Sequence, residues 1–116
     1  MRLARVYDEP QPGEGLRILA DRLWPRGVRK DDPRIGRWCK QISPSTELRR
    51  WYDHQPERFA EFAERYRTEL EATEVASALA QVRSLIAAGR VTLVTATKHL
   101  EQSHLPVLAE VLQDQR

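Results

Sequence analysis

The sequence predicts a small single-domain α/β layered fold, with a short, mostly parallel sheet of about three or four strands packed by four or five helices. Three observations predict it. Short apolar runs at residues 3–7, 16–23 and 91–95 have the length and the β-branched or alternating character of strands. Segments after residue 44 repeat apolar side chains at helical spacing. The chain closes on a helix–Gly–strand–loop–helix order, which is an α/β signature. Its 116 residues fit one domain, 1–116, large enough to hold a core without metal or disulfide.

The elements follow in order. Leu3-Ala4-Arg5-Val6-Tyr7 alternates, and Leu16-Arg17-Ile18-Leu19-Ala20 runs on to Leu23. Between them, Pro10, Pro12, Gly13 and Gly15 forbid a helix. That link is shorter than the dozen or so residues of an ordinary crossover, so parallel and antiparallel pairing stay open. Pro44-Ser45-Thr46 opens a helix through Leu48, Trp51 and Tyr52, capped by Ser43 or Ser45. Pro56 suits the first position of the next, whose Phe59, Phe62, Ala63, Tyr66 and Leu70 form one stripe. A third carries Val75, Leu79, Val82, Leu85 and Ile86 and stops at Gly89. Val91–Thr95 is the third strand, and a last helix starts near Leu105 with Val107, Leu108, Val111 and Leu112. Phe62, Tyr66, Leu79, Val94 and Leu108 are the expected core.

Composition bounds function. The chain is 41% apolar and 31% charged, with a net charge of +2. No apolar run reaches the ~18–20 residues of a membrane span, and no signal-peptide core follows the start, so a cytoplasmic protein is expected. The single cysteine, Cys39, excludes an internal disulfide and a multi-cysteine zinc site. No glycine-rich phosphate loop, H-E-x-x-H string or calcium loop is present, so no metal or cofactor is expected. Arginine dominates the cations, at 16 against 3 lysines. Residues 1–50 hold 12 basic and 7 acidic side chains, and residues 51–116 hold 7 and 10, which points to one anion-attracting face.

Ligands of open α/β sheets bind beyond the carboxyl ends of the strands. The second strand runs out into Asp21-Arg22-Leu23-Trp24-Pro25-Arg26-Gly27 and the third into Thr95-Ala96-Thr97-Lys98-His99. Pro25 fixes one φ and Gly27 admits a left-handed turn, so Arg26 is expected in a defined direction, suited to a phosphate or carboxylate. Lys40, Ser45 and Arg49 surround a helix start, a second place for an anion, although Ser45 reads equally as a cap.

These residues resemble the YeaO-like proteins of the domain of unknown function 488 family. The resemblance rests on Asp21-Arg22-Leu23-Trp24-Pro25-Arg26-Gly27, Lys30, Trp38-x-Lys40, Ser43-Pro44-Ser45-Thr46-Glu47-Leu48-Arg49, Trp51, His54, Phe62, Tyr66 and Glu69-Leu70. It implies a compact α/β cytoplasmic protein with its signature at strand exits and a helix start. Distant members of the wider family end the last strand in Cys-Ala-Glu and continue to Cys-His-Arg, which looks like an enzyme site. Here Thr95-Ala96-Thr97 and Ser103-His104-Leu105 stand in those places, so only His104 is kept and thiol chemistry is not expected. Cys39 is expected to be a buried apolar residue.

The candidate catalytic residues are Asp21, His54 and His104; the candidate ligand-binding residues are Arg22, Trp24, Arg26, Lys40, Ser45, Arg49 and Tyr66. Asp21 reads as a general base, a partner of Arg22 or a turn residue, and His54 as a carbonyl cap or a proton donor. Trp24 reads as a stacking platform or as packing. The expected function is an anion-binding cleft for a small phosphorylated or nucleotide-like ligand, in an enzyme or an enzyme-derived domain. The alternative is a nucleic-acid-binding or regulatory module using the basic half. No helix shows a basic face, so nucleic-acid binding is expected to be weak or absent. The oligomeric state is not legible.

Overall fold

The computed structural model describes residues 1–114. It contains four strands, β1 (Arg2–Arg5), β2 (Leu16–Leu19), β3 (Arg37–Trp38) and β4 (Val91–Thr95), and four α-helices, α1 (Thr46–Tyr52), α2 (Phe59–Leu70), α3 (Thr73–Ala88) and α4 (Leu105–Gln113). The predicted α/β class holds. All strands are parallel, in the order β1-β4-β2-β3.

The first two strands do not pair with each other. β4 lies between them, with Leu3 opposite Leu93 on one side and Ile18 opposite Leu93 on the other. The linker of residues 6–15 must therefore return along the sheet and step past one strand. Stepping over one strand spans roughly 10 Å, and ten extended residues reach roughly 33 Å, so no helix is required. Gly15 makes the landing. Its φ is +77°, and a Cβ there would lie 2.1 Å from the Arg90 carbonyl oxygen, so only glycine fits.

Arg17 secures the same linker. Its guanidinium donates to both oxygens of Glu14, at 3.0 and 3.1 Å, and to the carbonyls of Arg34, Arg5, Val6 and Asp8. Both side chains of the pair are only 3% exposed. A buried charge pair is tolerable only when its remaining donors are satisfied, and this one gathers three chain segments in meeting that demand.

β2 ends at Leu19, short of the expected Leu23, because Asp21 turns its carboxylate toward β4. β3 is an edge strand of two residues that the sequence reading did not include. The helices sit on one face. Ile18, Val91 and Leu93 meet Phe62, Tyr66, Leu79 and Leu108 there. Ala4, Val6, Leu19 and Val94 point to the other face, covered by Trp24, Ile35 and Trp38 rather than by helices. All five expected core residues are buried.

Local signals explain the helix ends. Ser45 caps α1, its hydroxyl accepting from the Leu48 N–H at 3.1 Å. Pro56 opens a 3₁₀ turn, so α2 begins only at Phe59. Gly89 ends α3 in extended backbone, its N–H bonded to the Leu85 carbonyl. Among the described residues, no helix is long and apolar enough to cross a membrane.

Replacing Arg17 with Met strands the Glu14 carboxylate in the interior. Removing one partner of a buried pair costs about 3–5 kcal/mol. Urea unfolding should report a loss of that size for Arg17→Met; a loss below about 1 kcal/mol would show that the pair is dispensable.

Candidate functional site

Because every strand is parallel, all the exits lie along one edge of the sheet. There an open cleft of about 820 Å³ is bounded by the exits of β2 and β4, one side of α1 and the start of α4. Two rings form its apolar floor: Phe62 and Tyr52 stack at 4.3 Å between centroids. Arg22, Arg49, Arg50 and Lys98 line it, against the two carboxylates of Asp21 and Asp53.

Asp21 is committed internally. One carboxylate oxygen accepts from the Thr95 hydroxyl at 2.7 Å and the other from the Ala96 N–H at 2.8 Å. It thereby locks the exit of β2 to that of β4. His104, buried at the start of α4, places Nε2 2.7 Å from the Ala20 carbonyl and 3.5 Å from Asp21. A carbonyl only accepts, so Nε2 carries the proton. Burial lowers the His104 pKa against the raising effect of Asp21 and the Ala20 bond, with Arg49 lowering it further. Arg22 donates Nε to the Pro44 carbonyl at 3.2 Å and Nη2 to that of Ser43 at 3.3 Å, which fixes its plane at the cleft wall.

The far wall holds the protein's two non-glycine residues with positive φ among those described, Asp53 at 49° and His54 at 53°. The Asp53 N–H bonds the Arg49 carbonyl and the Gln55 N–H bonds that of Tyr52, which completes the end of α1 without the His54 ring. His54 therefore is no carbonyl cap; it is exposed and lines the cleft.

Asp21, Arg22, Arg49, His54 and His104 are thus brought together. Five other candidates stand apart from the cleft lining. Ser45 is taken up by structure: its hydroxyl donates to Glu69 at 2.6 Å besides capping α1. Tyr66 is fully buried and donates to the Ile42 carbonyl. The Trp24 N–H donates to the Val28 carbonyl at 2.7 Å, and its ring meets Trp38 edge-on at 5.4 Å. Lys30 covers both rings, at 4.5 and 5.1 Å, and Lys40 lies 5.3 Å from Trp38. Arg26 is exposed beside Gly27, whose φ is the expected positive value of 79°. Cys39 is buried, as expected, and its thiol pKa is raised by that burial.

The sequence reading missed Arg50 and Leu23 as cleft residues, and noted Lys98 only as part of a strand exit. Arg50 adjoins Arg49 on a short helix, where both neighbours can face one opening. For Leu23 the signal was an apolar residue inside an otherwise polar loop.

A family model described as the inactive DUF488-N3 subclade matches residues 1–116. The chain belongs to that family. Among its relatives, an uncharacterised protein of Mycobacterium tuberculosis (strain ATCC 25618 / H37Rv) is 54% identical over 112 residues, 97% of this chain and 92% of the other. The uncharacterised protein YeaO of Escherichia coli (strain K12) is 39% identical over 108 residues, 93% of this chain and 92% of that one. No solved structure matches. In this DUF488-N3 member the two positions aligned by resemblance with thiols of distant relatives carry bonded hydroxyls. Thr95 is hydrogen-bonded to Asp21, and the Ser103 hydroxyl donates to the Leu100 carbonyl at 2.7 Å.

Two expectations test this geometry. A neutral buried histidine has its folded pKa below the unfolded value of about 6.5, so its contribution is full above that value and is lost as pH falls toward the folded pKa. His104→Gln keeps an N–H for the Ala20 carbonyl and lacks the titration. The stability difference between wild type and His104→Gln should therefore shrink between pH 7.5 and pH 5 in urea unfolding; a constant difference contradicts it. Asp53 is unfavourable twice, in a left-handed conformation and as an acid at a helix C-terminus. Asp53→Gly relieves the backbone but removes a carboxylate that faces the cleft cations. At high salt, where that attraction is screened, it should raise stability by about 1 kcal/mol, read as a higher Tm; an unchanged or lower Tm at high salt argues against strain there.

Proposed function

We propose that this protein is a non-catalytic binding domain for a small anionic ligand, phosphorylated or nucleotide-like, held in the cleft at the carboxyl ends of β2 and β4. One observation carries the reading: four arginine or lysine side chains converge on a cleft in which the Asp21 carboxylate is already consumed by Thr95 and Ala96. Four cations thus face two carboxylates, Asp21 and Asp53, of which Asp21 is charged but held in place by neutral donors. Like charges so gathered repel, and a bound anion relieves the repulsion. A fixed guanidinium such as Arg22 also loses little entropy on meeting a phosphate or carboxylate.

The non-catalytic part rests on the groups that would do chemistry. Of the three catalytic candidates, Asp21 and His104 point into hydrogen bonds that hold the scaffold, as the Thr95 and Ser103 hydroxyls do, and His54 alone stays open to the cleft. Cys39 is buried and does not line the cleft. The description of the family as inactive supports the same conclusion.

The test is mass action. An anion that binds the native state stabilises it by RT ln(1 + [L]/Kd), about 1.4 kcal/mol at tenfold above Kd. Millimolar phosphate or a nucleoside monophosphate should raise the Tm of the wild type by several degrees at constant ionic strength. The double variant Arg49→Ala/Arg50→Ala should lose the rise, while Arg26→Ala, off the cleft, should keep it. Equal rises in all three proteins would place the anion elsewhere, and turnover of a phosphoester by the wild type would overturn the non-catalytic reading.

A further inference from the structure

We infer that the ligand of the cleft is an amphipathic anion: an organic phosphate carrying an aromatic or aliphatic group, with Leu23 as the apolar contact that selects it. This inference rests on the anion-binding reading above and adds the chemical class of the ligand.

Leu23 carries it. The residue is 68% exposed, the most exposed large apolar residue described; the other exposed ones are Met1 and Tyr7. Tyr7 has a polar use for its position, since its hydroxyl donates to the Arg26 carbonyl at 3.1 Å. Leu23 has none. A lone exposed leucine on a free loop would need no explanation. This one is held on both sides. Before it, the Asp21 carbonyl accepts from the Trp38 indole at 2.7 Å and Arg22 is fixed on two carbonyls. After it, the Trp24 indole is bonded to Val28 and its ring is packed against Trp38. The leucine is therefore presented at the cleft by a rigid segment, and the described residues leave most of it exposed.

The cleft has the matching division. Leu23 and Ala96, with the little that the buried Phe62, Tyr52 and Pro44 leave uncovered, supply its apolar surface, while Arg49, Arg50 and Lys98 supply positive charge. Inorganic phosphate would use the cations and leave the apolar part wet. A ligand with an anionic head and an apolar body would satisfy both, and covering Leu23 removes apolar area from water.

Isothermal titration at pH 8 compares methyl phosphate with phenyl phosphate, both dianions there. In the wild type, phenyl phosphate should bind at least about tenfold tighter, equivalent to about 1.4 kcal/mol. Leu23→Ser should reduce that preference to about twofold or less while leaving methyl phosphate affinity unchanged; with the side chain so exposed, folding is not at stake. Equal affinities in the wild type, or a phenyl preference that survives Leu23→Ser, would overturn this inference and leave the anion site standing. Failure of both phosphates to bind would overturn the anion site and this inference with it.

Discussion

The position of β4 between β1 and β2 is the constraint from which the remaining structure follows. All five of its residues are buried, so both of its faces must be covered and both of its edges paired. Pairing on both edges forces the two N-terminal strands apart and makes their short linker step over it. That passage is possible because Gly15 passes against the Arg90 backbone and because Arg17 gathers the carbonyls of Arg5, Val6 and Asp8. The same insertion sets the exits of β2 and β4 side by side. Asp21 then joins them, and α4 starts beneath with His104 on the Ala20 carbonyl. The cleft is a consequence of strand order before it is a consequence of any particular side chain.

The arginines of the basic N-terminal half divide by environment. Arg17 is consumed in the interior. Arg34 closes on Asp32, which its guanidinium holds at a pKa of about 2, and its own carbonyl accepts from Arg17. Arg29 and Asp31, 3.5 Å apart with side chains 86% and 80% exposed, form a solvated pair of little worth. The cleft draws its cations from both halves of the chain: Arg22, Arg49 and Arg50 from the first, Lys98 from the second. Net charge along a sequence reports attraction at a distance, and the fold decides where it is spent.

The layers were legible in the sequence because their signals are local. The stripe of Phe62, Ala63, Tyr66 and Leu70 has helical spacing, and the β-branched run at β4 has few other readings. β3 was not legible, since two residues on an edge carry no period. Nor was the strand order, because the link between β1 and β2 fits several geometries and only the pairing with β4 selects one. The strand-exit rule named Asp21 and Arg22 and the family resemblance named His104, and all three line the cleft, yet neither signal could separate a group facing the opening from one facing the scaffold. Ser45 shows the difficulty: a hydroxyl before a helix has the same sequence signature whether it meets a ligand or, as here, Leu48 and Glu69.

The string from Asp21 to Gly27 divides between the scaffold and the lining of the cleft. Its inward members form a clamp: Asp21 on β4, Trp24 against Trp38, and Gly27 in the left-handed turn that returns the chain. Arg22 and Leu23, between the clamped positions, line the cleft. A clamp on either side of the half-buried Arg22 and the exposed Leu23 removes conformational freedom from both. The opposite wall follows the same logic at a visible cost. Asp53 and His54 keep left-handed backbone that glycine would adopt without strain, and both line the cleft. Local rules are broken at those two positions and obeyed through the rest of α1.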